Sequence, residues 1–192
     1  YLALWYLAYR TLAVSYWLTL AVAVLAAGFL VRVFIIFHDC GHGSFFRSRA
    51  ANGAVGFVTG ILTLTPYHDW RHEHYLHHAT AGDLDRRGHG DVWTMTVAEY
   101  RAASRWQRLA YRAYRNPLVM FGIGPLFVFL VKQRFTHAGS PRRERLSVHL
   151  TTLALAAIAA ALHLTIGLKA ALLVQLPIMA VAGAAGVWLF YV

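Results

Sequence analysis

Apolar positions along the chain gather into blocks, and polar positions into short gaps between them. Residues 12–37, "LAVSYWLTLAVAVLAAGFLVRVFIIF", hold one charge, Arg32, near the end of the run. A bilayer core of about 30 Å takes about 20 apolar residues as a helix. At 1.5 Å per residue this run reaches about 39 Å, so it is read as a full span whose emerging end carries "HDCGH". Residues 149–168 and 171–192 read as two further spans joined by a turn around Gly167 and Lys169. Residues 1–9 are apolar but too short to cross. Two more stretches are short: 53–67, with three glycines and a closing Pro66, and 117–131, interrupted by Pro125. Both are expected to be interfacial or re-entrant. Residues 79–94 read as a polar loop, and 95–115 as a basic amphipathic stretch with Tyr100, Trp106, Tyr111 and Tyr114, suited to a headgroup surface. The pattern predicts an all-α integral membrane protein: one domain over 1–192, built as a helical transmembrane bundle with amphipathic helices on the cytoplasmic side.

Composition agrees. Hydrophobic residues make up 58% of the chain and charged residues 14%, where soluble domains carry about 25%. The net charge of +10 raises the question of nucleic acid. However, the basic residues do not alternate with stacking aromatics along one stripe, so nucleic-acid binding is excluded. They form three runs between apolar segments, at Arg47 and Arg49, Arg101–Arg115 and Arg134–Arg145. Arginines beside spans mark a cytoplasmic face, and the same rule disfavours a full crossing by 117–131. Cys40 stands alone, which removes a disulfide framework and a thiolate metal site. The chain opens on Tyr1 and closes on "GVWLFYV" within an apolar run, so truncation at both ends is expected.

The histidines add chemistry. Seven of eleven lie between His38 and His78. His38 and His42 stand at i and i+4; His74, His77 and His78 stand at i, i+3 and i+4. On helices these offsets share a face, so five imidazoles can converge just outside the hydrocarbon. Imidazole is the commonest protein metal ligand, and without a metal such crowding has no evident benefit. A zinc-protease H-E-x-x-H is absent, because Leu76 stands where the second histidine is required. No glutamate is followed by a histidine three residues on, as soluble di-iron bundles need. A membrane haem would need paired histidines within facing spans, and His163 has no clear mate. What remains is a histidine-rich, carboxylate-poor, non-haem site facing a lipid-soluble substrate. His89, His137, His149 and His163 are read as structural. His68 and His72 are open between ligand, support and interface.

"FHDCGHGSF", followed about thirty residues later by "PYHDWRHEHYLHHA", resembles the first two histidine boxes of the membrane fatty acid desaturases. The likeness is greatest to bacterial acyl-lipid enzymes that insert a methyl-directed double bond, and it extends through "GDVWTMTVAEY" and "RNPLVMFGIGP" to the closing residues. The resemblance implies a di-iron centre of two non-haem irons. It would draw electrons from a ferredoxin or cytochrome b5-type donor and use O₂ to place a cis double bond in an acyl lipid. His38, His42, His74, His77 and His78 then become metal ligands, and Asp39 accepts an imidazole N–H to fix ring orientation. The implied place is a bacterial cytoplasmic membrane, with the metal on the cytoplasmic face. The family's third H-x-x-H-H box does not occur in these 192 residues, so the chain alone is expected to be inactive. Two rival readings are a related membrane di-iron hydroxylase or carotenoid ketolase, and a membrane metal-binding or transport protein without redox chemistry.

Overall fold

Helix α2 sets the frame. It runs unbroken from Tyr16 to His42, 27 residues or about 40 Å, so "HDCGH" is its last turn rather than a loop beyond it. Gly43 ends it in the left-handed conformation at φ +72, where a side chain is disfavoured. The amides of Gly43 and Ser44 close back on the carbonyls of Cys40 and Asp39, each at 3.0 Å. The structure is a computed structural model and describes every residue except 89, 91, 137, 138 and 192, so the readings of His89 and His137 lie outside the described residues.

Before α2 stands α1 (Leu2–Thr11). Ala8 is buried among Val22, Ala26, Leu30, Val174 and Ile178, and this cluster joins α1 and α2 to the last helix of the chain. After α2 comes α3 (Arg49–Leu62), capped by the Ser48 hydroxyl, which accepts from the Ala51 amide. At 14 residues, about 21 Å, α3 is too short to cross a bilayer. Asn52 ties the α2–α3 connection: its amide group donates to the Phe46 carbonyl at 2.7 Å and accepts from the Phe46 amide at 3.0 Å. A tight turn follows, with Leu64 at φ +58 and its carbonyl held by the Arg134 guanidinium. The turn delivers the chain into α4 (Tyr67–Thr80), which carries the second histidine segment.

The stretch 95–115 is two helices, α5 (Val97–Ala102) and α6 (Arg105–Tyr114). Each begins with a capping box: Thr96 with Glu99, and Ser104 with Gln107. Ser104 therefore restarts the helix where one continuous element was expected. Residues 119–123 form a π-helical turn that leads into α7 (Gly124–Leu130). Pro125 lacks the amide that an α-helix needs there, which accounts for the widened turn. The segment bends by 60° from α6, as a broken span or a re-entrant loop would.

The last two helices are α8 (Arg142–Ile166) and α9 (Leu168–Tyr191), joined at Gly167 with φ +82. Pro177 interrupts α9 and cannot donate to the carbonyl of Leu173. The Tyr16 hydroxyl donates to that carbonyl instead, weakly at 3.4 Å. This is how proline is tolerated where water is scarce. Gln175 is satisfied likewise, its side-chain oxygen accepting from the Tyr1 hydroxyl at 3.0 Å and Trp5 Nε1 at 2.8 Å. Among the described residues there is no strand, and α2, α8 and the stretch Leu168–Leu189 of α9 are long and apolar enough to cross a membrane.

Candidate metal centre

The site forms where the last turn of α2 meets the middle and end of α4. Aromatic packing fixes that meeting. Phe37 and Tyr67 are fully buried, edge to face at 5.8 Å. The Tyr67 hydroxyl donates to the Cys40 carbonyl at 2.6 Å, between His38 and His42 in the chain. Trp70 packs on Phe37 at 4.6 Å and stacks on the His74 ring at 4.3 Å, with only 17° between planes. Gly41 makes room for it: a Cβ there would lie 2.8 Å from Trp70 Cζ3. Aromatic pairs of this kind contribute about 0.5–1.5 kcal/mol each beyond burial.

Against this wall, four imidazoles converge. His38, His42, His74 and His78 each offer a ring nitrogen, and the four nitrogens all lie within 4.8 Å of one another. Nε2 of His42 is 3.2 Å from that of His38 and 3.1 Å from that of His74; Nε2 of His78 is 3.1 Å from that of His74. A neutral ring nitrogen either donates or accepts. Three contacts in a row ask His42 and His74 to serve two neighbours each, which no assignment of tautomers does well. A cation bound among them would relieve this conflict by taking up lone pairs that now face one another. Metal–imidazole bonds of about 2.0–2.1 Å set neighbouring ligand nitrogens about 2.9–3.4 Å apart, between right-angle and tetrahedral geometry. The three observed separations fit, so the donor set suits a transition metal.

Asp39 Oδ1 lies 3.1 Å from His38 Nδ1, at the ring edge opposite the cluster. A carboxylate there holds a proton on Nδ1 and leaves Nε2 to bind. His74 is buried. Burial first, then the imidazoles of His38, His78, His42 and His77, lower its pKa to about 3, so it stays a neutral donor. His77 stands outside the group of four. Its ring is 6.0 Å from that of His74 and 5.7 Å from that of His78, and a Cβ placed on Gly90 would lie 3.5 Å from His77 Cβ.

His68 and His72 face elsewhere. The His68 backbone amide donates to Ser147 Oγ of α8 at 3.0 Å. Burial, followed by the charges of Arg143 and Arg71, lowers its ring pKa to about 4. His72 Nδ1 is 3.6 Å from Glu144 Oε1, also on α8. His149 and His163 are exposed on α8 and take no part in the cluster. Sequence reasoning passed over Trp70 and Gly41. Trp70 does lie one turn before His74, a same-face spacing that could have raised it.

A family profile described as fatty acid desaturase matches residues 15–192. The chain is 56% identical over 192 residues to a fatty acid desaturase of Bacillus subtilis (strain 168), covering all of this chain and 54% of that protein. It is 31% identical over 122 residues to the sn-1 oleoyl-lipid 12-desaturase of a Synechocystis species, covering 64% of this chain and 33% of that protein. To the sn-1 acyl-lipid omega-3 desaturase (ferredoxin) of the same species it is 33% identical over 97 residues, 50% of this chain and 25% of that protein. The chain thus spans about half the length of the first relative and less of the others. No solved structure matches it. With all-helical architecture, three candidate spans, a four-imidazole cluster and a profile match over nearly its whole length, the chain belongs to the fatty acid desaturase family.

Proposed function

We propose that the protein acts in an oxygen-dependent fatty acyl desaturase that places a cis double bond in the acyl chain of a membrane lipid. The observation that carries this is the convergence of four imidazole nitrogens at the end of a membrane-crossing helix. A hydrocarbon chain can approach such a site from the bilayer while electrons arrive from water. His38, His42, His74 and His78 would hold iron, with His77 beside them for a second ion of a di-iron pair. Iron so held supplies the oxidant that unactivated C–H bonds require, together with O₂ and an external reductant.

The chain's own residues prepare the site. Asp39 keeps the His38 proton on Nδ1, Trp70 pins the plane of His74, and the Phe37–Tyr67–Trp70 wall excludes water from one side. For the electron donor we favour a small acidic protein of the ferredoxin or cytochrome b5 type; ferredoxin appears in the name of one Synechocystis relative. The basic runs beside the histidine end favour a cytoplasmic placement in a bacterial inner membrane, with 117–131 re-entrant.

The test is gas chromatography of acyl chains from cells carrying the full-length gene, grown with and without oxygen, beside a His74→Ala control. An oxygen-dependent double bond lost in the control is expected. A new hydroxyl or keto group would replace this reading with a hydroxylase or ketolase. Bound zinc without any lipid product would replace it with a metal-binding protein.

A further inference from the structure

Helices α5 and α6 are held to the protein by little. Neither has a buried residue, and a ten-residue helix is marginal in water without a surface to lie on. Contacts to the preceding loop are an ion pair between Arg87 and Glu99 and ring contacts of Trp93 with Tyr111 at 5.2 Å and Tyr114 at 5.8 Å. Two other faces are left. On one, Trp106 and Leu109 are 78% and 56% exposed, and beyond the helix, before the bend, Leu118 is 79% exposed. On the adjoining face, Arg105, Arg108, Arg112 and Arg115 follow at helical spacing.

Carboxylates are scarce around Arg101, Arg105, Arg108 and Arg112. Glu99 is the one acid between 95 and 116, and it is taken by the Arg87 guanidinium and the Thr96 amide. Among the described residues Arg101, Arg105, Arg108 and Arg112 have neither a carboxylate nor a hydrogen-bond partner. Between the two helices lies an open cleft of about 540 Å³, floored by Met95, Val97 and Tyr111 and rimmed by Arg101, Arg112 and Arg115.

We propose that α5 and α6 form a docking site for anionic phospholipid, with Trp106 and Leu109 in the acyl boundary and a headgroup phosphate in the cleft between Arg101 and Arg112. An apolar face beside a basic one is what a leaflet of anionic lipid recognises; guanidinium pairs with phosphate, and indole sits at the headgroup level. The exposed apolar side chains, next to a segment bent as a broken span or re-entrant loop would be, select the membrane over an acidic protein, which would leave Trp106 and Leu109 in water. The site does not rest on the proposed reaction, and an inactive protein would bind lipid equally.

The test places the full chain in nanodiscs of phosphatidylcholine containing a minor fraction of brominated lipid, either phosphatidylglycerol or phosphatidylcholine. The signal is the tryptophan quenching that Trp106→Phe removes. Brominated phosphatidylglycerol should quench more at equal mole fraction. Arg101→Gln with Arg112→Gln should cut that preference by about fivefold or more, since one arginine near a charged leaflet is worth about that factor. These positions are exposed, so unchanged helicity by circular dichroism is expected. Arg142→Gln with Arg143→Gln, outside the cleft, should leave the preference intact, as should excess inorganic phosphate. Equal quenching by both lipids would overturn the proposal. So would displacement by inorganic phosphate, which marks a free-anion site. A Trp106 silent to both lipids would mean that the face meets water or a protein partner.

Discussion

His68 sits one turn before His72 and a turn and a half before His74, yet it serves α8 rather than the cluster. Its ring is half-buried beside Arg143 and Arg71, and its pKa is lowered to about 4 from an ordinary value near 6.5. The sign follows from which state binds the proton first. Between pH 6.5 and 4 the unfolded chain takes it and the folded one does not, so stability rises with pH across that window. It is complete above pH 6.5, lost progressively on acidification, and flat with respect to this group below about 4. Thermal unfolding of the detergent-solubilised protein should therefore show a smaller loss between pH 6.5 and 4 for His68→Gln than for the parent. Equal losses would remove His68 from the account. The residues of the cluster were legible in the sequence because i, i+4 spacing needs only a helix to become a shared face. The wider spacing of His77 was not: its ring lies 6.0 Å from that of His74 and 5.7 Å from that of His78, distances that i, i+3 spacing alone does not set.

Helix α3 shows how glycine placement positions an element. Gly53 faces open space, whereas a Cβ on Gly56 would lie 2.2 Å from Tyr67 Cε2 and one on Gly60 2.5 Å from the Thr65 carbonyl. Gly53→Ala should raise stability by about 0.5–1 kcal/mol through reduced chain entropy. Gly56→Ala should lower it by about 1–3 kcal/mol, because Tyr67 has nowhere to move. Tyr67 also bonds the Cys40 carbonyl, so displacing it shifts α4 against α2. Cobalt(II) titration should then show weakened binding in Gly56→Ala and none of that loss in Gly53→Ala. At this scale the sequence was read too coarsely once. The boxes Thr96-x-x-Glu99 and Ser104-x-x-Gln107 are written in the chain and mark two helix starts where one amphipathic stretch was expected. The close approach of α3 and α4 could not be read, since three glycines in an apolar run fit an exposed helix equally well.

Across the molecule, α8 begins beside the histidine end and finishes beside the start of α2. Ser147 and Glu144 reach His68 and His72, while Ile166, Gly167 and Lys169 gather near Leu12 and Tyr16. With 117–131 re-entrant, positions 44, 104 and 142 belong on one face of the membrane and 169 on the other. Single cysteines at Ser44, Ser104, Arg142 and Lys169, in a Cys40→Ala background, test this with a membrane-impermeant thiol reagent. Labelling of 142 from the side opposite 44 and 104, with 169 labelled from their side, would mean that 117–131 crosses. The presence of three helices long and apolar enough to cross a membrane was readable from hydropathy alone. The packing of α8 against α4 was not, because it rests on side chains such as Ser147 that look unremarkable in sequence.

The donors come from two helices with different footing, since α2 runs about 40 Å as one rod while α4 lies at its end and is too short to span. A lever follows. When the surrounding bilayer thins or thickens, a long helix answers by tilting, and its tip sweeps farther than a short helix beside it. His38 and His42 ride on that tip; His74 and His78 do not. Metal affinity should then depend on lipid chain length: cobalt(II) binding in bilayers of progressively shorter lipids should pass through an optimum. The protein would in that case gauge the membrane whose chains its family modifies.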